Sequence, residues 1–454
     1  MRKFKNCILG LLGTVLVITS ICGCGNGSSN KISSKTEEKK TALGKNGSME
    51  SIKFKADATI AQTVLVDKDG IKVTAQELVY TGNTPSLKLL IENNTSKNLS
   101  FKSRKENSVN GFMIPTANMQ SDVTAGNKAY ESIRFDYEEL ELYGINQIAE
   151  MQIGFDIMDD DYNDVLTVDP VQIKTNVFDS YDLSENTYRK IVSNDALLKS
   201  VGFKKEYFSK DTIYDDGGVK ADTVFAGTNS SKERVVFIEG YNTGDSQVYM
   251  CISDIEVNGI VVSDGLWDAE PINAKKYSVM DISLDHAIEN SKAGINAKDV
   301  NEIKFKIGLE DVDGNDVASE KEVTISLKSE KNEQEPEAKG EEVYNKDGVK
   351  ISYMGMKTDS SRVHFVMYIE NKSGKNLNVD TDGVSVNGFM ESPIDYARVE
   401  DGKTGSMDIQ VANFELEDSG VKPEEITEAE FTFKITDDDY NDIASPVVKV
   451  KVAQ

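Results

Sequence analysis

Apolar and polar residues alternate with a period of two along most of this chain. Ile71-Lys72-Val73-Thr74-Ala75 alternates, as does Val349-Lys350-Ile351-Ser352-Tyr353. Glu302 to Ile307, Glu430 to Ile435 and the C-terminal run Val447 to Val452 do the same. Leu87 to Asn93 and Val363 to Asn371 are apolar stretches that end in polar turns. This spacing predicts strands of antiparallel sheets, one face buried and one wet, with turns at intervals of about 8–12 residues.

The pattern repeats. Val109-Asn110-Gly111-Phe112-Met113 returns at Val386-Asn387-Gly388-Phe389-Met390, and the run Asp159 to Asp164 returns letter for letter at Asp437 to Asp442. Lys68-Asp69-Gly70 and Ile91-Glu92-Asn93 return at Lys346-Asp347-Gly348 and Ile369-Glu370-Asn371. A looser copy lies between, with Val257-Asn258-Gly259 and Asp311-Val312-Asp313-Gly314-Asn315-Asp316. Self-similarity at fixed spacing marks a structural repeat. The expected organisation is a leader at 1–23, a disordered tether at 24–51 and repeats at 52–178, 210–328 and 342–454. A connector at 179–209 and a polar linker at 329–341 separate them. Each repeat is long enough to bury its own core. Within the connector, Glu185 to Leu198 predicts a short helix.

Two local signals refine the repeat. Asn-Gly tolerates the two positive φ values of a type I′ turn, so Asn110-Gly111, Asn258-Gly259 and Asn387-Gly388 predict hairpins. Asp136 opens a short amphipathic stretch that stops at Gly144-Ile145, with matching stops at Gly294-Ile295 and Gly420-Val421. A polar cap, a turn or two, then Gly and an apolar residue predicts one short capped helix per repeat, crossing between two sheets. Asn413 is the expected cap in the last repeat.

The N-terminus brings in location. Arg2, Lys3 and Lys5 precede an apolar stretch, Ile8 to Ile21, too short for a stable spanning helix. It closes on Ile21-Cys22-Gly23-Cys24 and a flexible polar run from Gly25. This resembles a bacterial lipobox. The resemblance implies that Cys24 carries a diacylglyceryl group and holds the chain to the outer face of a cell membrane, the lipid bilayer being its first partner. At about 5–6 Å × √n, the tether would reach on the order of 30 Å. If Cys24 is lipidated, Cys251 has no partner for a disulfide within the exported chain.

Charge and motifs narrow the chemistry. The chain has 51 Lys+Arg against 77 Asp+Glu, net −26, and loses three cations with its leader. So acidic a protein repels nucleic acid and anionic lipid surfaces. Asp159, Asp161 and Asn163 alternate, as do Asp311, Asp313 and Asn315, and Asp437, Asp439 and Asn441. Oxygen ligands so placed suit a hard cation, which makes these nine residues candidate calcium ligands. The bland alternative is a solvated hairpin loop. They are no EF-hand: the middle copy has Glu322 at the twelfth position but lacks the glycine at the sixth, and the outer copies have Pro170 and Val448 where that Glu would be. No other cofactor is indicated.

Trp267, the lone tryptophan, shares its register after the hairpin glycine with Met119 and Tyr396, which predicts core positions. Cys251 lies two residues from Tyr249 on a predicted strand face, as a buried free cysteine would. The only histidines, His286 and His364, fall in different repeats, and there is no GxSxG, P-loop or GxGxxG. Paired carboxylates for glycoside chemistry stay open as a remote alternative.

Taken together, KDGIKVTA, IENNTSKNL, VNGFM and IGFDIMDDDYND resemble the tandem immunoglobulin-like modules of Gram-positive cell-surface lipoproteins. The resemblance covers the outer repeats well and the middle one loosely, where Ile260-Val261 replaces Phe-Met. It implies an all-β fold of three tandem immunoglobulin-like antiparallel β-sandwiches, export and lipid anchoring, and it brings no catalytic residues. The expectation is a non-enzymatic binding or adhesion module facing an unidentified surface protein or glycan. A calcium-dependent rod or sensor is the alternative and a glycan-active enzyme the remote one.

Overall fold

The computed structural model describes residues 53–291, 295, 299–327 and 340–452. The leader, Cys24, the tether, Gly294 and most of the 329–341 linker lie outside the described residues.

The fold is all-β, with three tandem immunoglobulin-like sandwiches, each carrying a short helix between its two sheets. In the first repeat the first sheet runs Thr63–Lys68, Ile71–Thr81, Thr84–Asn93 and Lys128–Arg134, in that order. The helix Tyr137–Leu142 then carries the chain to the facing sheet, where Glu150–Asp159 pairs with Leu99–Ser103 and Asp164–Lys174. The helices Leu284–Ser291 and Asn413–Asp418 make the same crossing in the later repeats.

Local chemistry sets these elements as the sequence predicts. Asn110, Asn258 and Asn387 have φ of 48°, 51° and 49°, and each is followed by a glycine at positive φ. Asp136 caps its helix by accepting from the backbone N–H of Glu138 and Glu139. At the other end Gly144, at φ 68°, lets the N–H of Ile145 reach Leu140 O at 2.9 Å. Gly420 and Val421 close the last helix in the same way. The cap of that helix departs from expectation. Asn413 lies inside the helix, Ala412 holds the cap position, and no side chain caps it. Asn413 turns its amide toward the Asp359 carbonyl instead.

The sheets run across the repeat boundaries. The second sheet of repeat one and the first sheet of repeat two form one 11-stranded sheet, and repeats two and three share an 8-stranded one. At the first boundary the hairpin strand Phe112–Met113 meets Tyr277–Ser283 in parallel, Phe112 opposite Tyr277. At the second, Ile260–Ile272 meets Thr404–Ala412 in parallel, with Ile260 opposite Thr404 and Val261 opposite Gly405.

Packing follows the sheets. Phe225 and Val279 of the second repeat belong to the first core, and Val366 and Tyr368 of the third belong to the second. The strand Arg362–Asn371 is therefore buried on both faces: Phe365, Met367 and Ile369 face the third core. Its counterpart Thr84–Asn93 alternates instead. The connector forms two helices, Thr187–Ser193 and Asp195–Ser200, where one was expected. Tyr188, Ile191, Leu197 and Leu198 pack into the first core.

Candidate functional site

The Asp-rich loops close the hairpins between the last long strands of each repeat. Asp159 N–H donates to Asn163 O, and Tyr162 N–H donates back to Asp159 O at 2.9 Å. Asp159 Oδ1 accepts from the backbone N–H of Asp161 and Asn163 and from Asn163 Nδ2. Its Oδ2 accepts from Lys97 Nζ at 2.9 Å. The last repeat reproduces the arrangement: Asp437 takes Asp439, Asn441 and Lys375, the last at 2.8 Å. Asn98 and Asn376 hold the neighbouring Asp160 and Asp438.

So Asp159 and Asn163, and Asp437 and Asn441, do come together, as a staple for the turn with an ammonium on its outer oxygen. The Lys97 hydrogen bond and the Asn163 backbone hold the Asp159 carboxyl down at about 2, and Lys375 first, then Asn441, lowers Asp437 likewise. Asp161 and Asp439 enter through their backbone N–H groups. In the middle loop Asp311 accepts from Asp313 and Asn315, but Ser246 stands at the lysine's register and no ion pair to Asp311 occurs among the described residues. Among the described residues no group of three or more His, Cys, Asp or Glu is arranged to hold a metal ion.

Sequence reasoning missed what these loops display. Tyr162 and Tyr440 sit at φ 60° and 62°, a conformation that bulky L-residues rarely adopt. Their side chains are 87% and 81% exposed. In the middle repeat the same position is Gly314, at φ 74°. The turn itself asks only for glycine, so each tyrosine holds its ring in solvent at a backbone cost of about 1 kcal/mol or more.

A second candidate is a cluster of carboxyls between the first helix and the second repeat. Glu139, Asp268, Glu270 and Asp281 feel one another's charge there. Desolvation by the surrounding protein pushes Glu139 to about 7 and Glu270 to about 8, and it raises Asp281 less, since that residue is exposed to solvent. Tyr143 OH and Thr116 donate to Glu139, and Lys105 lies 3.8 Å from Glu270. These carboxyls belong to different repeats and are far apart in sequence, so no local motif pointed to them.

The remaining candidates separate. Met119 is buried as expected, and Trp267 packs partly against the second core with its ring 5.8 Å from His286. Tyr396 is not core: it is 60% exposed and donates its hydroxyl to Asn378. Its counterpart Trp267 lies on the strand Ile260–Ile272, which pairs with Thr404–Ala412 of the next repeat, and among the described residues no such strand pairs at Tyr396. Cys251 is buried and forms no disulfide. His364 lies between Asp359 and Asp408, at 3.0 and 2.9 Å.

No protein-family model and no curated protein matches the chain. Among solved structures it is similar to the YadV chaperone (10% identity, 48% of this chain and 92% of that one, TM-score 0.16). Others are a protein of unknown function from Porphyromonas gingivalis W83 (12% identity, 48% and 90%, TM-score 0.15) and red sea bream transglutaminase (12% identity, 67% and 37%, TM-score 0.14). Likeness at that level says nothing about activity. Among the described residues no helix is long and apolar enough to cross a membrane.

Proposed function

We propose that this chain is a lipid-anchored, extracytoplasmic binding module that engages a surface protein or glycan through its tyrosine-bearing loops. The observation that carries this reading is the pair Tyr162 and Tyr440, held exposed in a backbone conformation where Gly314 would serve the turn better. An aromatic face flanked by the carboxylates of Asp160 and Asp161, or Asp438 and Asp439, suits stacking on a sugar ring with its hydroxyls hydrogen-bonded alongside. Two copies on one scaffold convert weak single sites into firm attachment when both engage. The lipobox-like Ile21-Cys22-Gly23-Cys24 supports the anchoring.

The test is retention of the soluble chain, residues 25–454, on purified Gram-positive cell-wall fractions. Wild type should be retained, each single Tyr→Gly variant weakened at least tenfold, and the Tyr162→Gly/Tyr440→Gly double variant should wash through. Retention of the double variant at wild-type strength would overturn the reading. The second reading, a calcium-dependent rod or sensor, rests on the middle loop, where no lysine pairs with Asp311 among the described residues.

A further inference from the structure

The two repeat boundaries are built from the same parts in the same register. The residue just after the hairpin glycine, Phe112 or Ile260, sits opposite the first residue of the next repeat's return strand, Tyr277 or Thr404. The equivalent positions are fixed by backbone bonds: Asn93 N–H reaches Asn127 O, Asn242 reaches Lys276 O and Asn371 reaches Lys403 O. Lys128, Tyr277 and Thr404 are therefore counterparts.

Among the described residues, the first and the last repeat each leave one half of this joint uncovered. Among the described residues Lys128–Arg134 is the edge of its sheet, paired only with Thr84–Asn93, whereas Tyr277–Ser283 and Thr404–Ala412 each have a second neighbour. In the last repeat the hairpin strand Phe389–Glu391 pairs, among the described residues, only with Leu377–Val386. The same Val-Asn-Gly-Phe-Met letters thus occur covered and uncovered. Phe112 and Met113 are 2% and 1% exposed; Phe389 and Met390 are 49% and 70% exposed. Phe112 stacks on Tyr277 at 5.2 Å, a contact that Phe389 lacks.

We infer that the exposed hairpin Phe389–Glu391 of one copy docks in parallel on the edge strand Lys128–Arg134 of a second copy, so that the chain assembles head to tail. The register places Phe389 opposite Lys128 and Met390 opposite Ala129. Tyr277 N–H donates to Gly111 O at 2.9 Å across the first boundary, so Lys128 N–H should donate to Gly388 O. Charge agrees with this. Glu391 Oε1 and Glu415 Oε2 at the free hairpin end are buried without a hydrogen-bond partner. Glu415 is the counterpart of Glu139, which in the first boundary faces Asp281; at the edge strand the counterpart of Asp281 is Ser132, between the donors Tyr130 and Arg134. An uncovered strand edge is a template for pairing, and a joint between unlike surfaces propagates instead of closing.

The joint is weaker than the internal ones. Lys88 stands on the outer face of repeat one where Phe237 and Val366 stand in repeats two and three, and Asn127 replaces Lys276, which reaches Glu150 at 3.1 Å. A small reversible interface belongs at the weak end of protein association, to be sought at concentrations of roughly 10–500 µM.

Sedimentation velocity of the soluble chain across that range tests it. The mean mass of wild type should rise past a dimer. Phe389→Asp leaves the edge strand intact, and Lys128→Pro leaves the hairpin intact; each alone should stay monomeric. Mixed in equal amounts they should form a dimer and stop. If Lys128→Pro melts below wild type, Arg134→Glu takes its place. A wild type that stays monomeric throughout, variants that assemble like wild type, or a mixture that stays monomeric or grows beyond a dimer would each overturn the inference.

Discussion

Asn93, Asn242 and Asn371 each use one buried amide to close a turn and tie it to the next strand. Asn371 Nδ2 donates to Lys375 O and Val399 O, while its Oδ1 accepts from the N–H and hydroxyl of Ser373. Asn110, Asn258 and Asn387 work similarly, binding the hairpin to the segment before the next strand; Asn387 holds Glu425 O, Thr427 and Glu428. Aspartate has the same shape but points an acceptor at two carbonyls. Asn371→Asp should therefore cost about 2–4 kcal/mol in the third repeat, read as a drop of roughly 10 °C or more in its thermal transition. Tyr440→Gly should go the other way, leaving stability equal or raising it by up to about 1 kcal/mol in denaturant unfolding, since the glycine relieves the left-handed backbone. The hairpin asparagines were legible as turn formers from the Asn-Gly pair alone. Their side-chain bonds were not, because the partners lie about forty residues on.

At the scale of elements, charge placement sets the response to pH and to cations. The carboxyls of Glu139, Glu270 and Asp281 have folded values raised above their unfolded ones. The native state then holds more protons than the unfolded state from the ordinary carboxylate range up to about 8, so stability falls as pH rises through that window. With solvent screening allowed for, the loss from pH 5 to pH 8.5 should be on the order of 1 kcal/mol, and Glu270→Gln should flatten it. Asp159 has the opposite sign: its contribution is present above its unfolded value and is lost as pH falls toward about 2. In the outer loops Lys97 and Lys375 already serve Asp159 and Asp437, so melts in millimolar calcium and in EDTA should superimpose. A rise of several degrees, abolished by Asp311→Ala, would make the middle loop a calcium site. The alternating Asp and Asn letters marked this loop, but alternation alone does not distinguish a metal ring from a turn that satisfies itself. The deciding lysines lie 62 residues away.

Across the whole molecule, the repeats are segments of one folded ribbon of sheets. Lys276 with Glu150, Lys403 with Glu256 and Glu322, and Gln247 and Tyr249 with Glu106 brace the two joints. The period-two pattern was enough to read sandwiches, and the recurring Val-Asn-Gly and Asp-rich letters to read their repetition. It was not enough to read the joints, although one clue was present. His364 to Ile369 is almost continuously apolar where Lys88 interrupts the counterpart run Leu87 to Ile91, and an unbroken run marks a strand covered on both faces. Tyr396 was misplaced for the converse reason: its register is covered where a strand of the next repeat pairs alongside, as it does along the strand that carries Trp267.

Site-resolved amide hydrogen exchange on a dilute, monomeric sample tests this continuity most directly. Tyr277 and Lys128 are counterparts, one donating across a repeat boundary and the other at a bare edge. The continuous ribbon requires the Tyr277 amide to be protected like its neighbour Val279, at least a hundredfold over Lys128, which should exchange freely. Equal, rapid exchange at Tyr277 and Lys128 would mean that the sheets stop at the repeat boundaries.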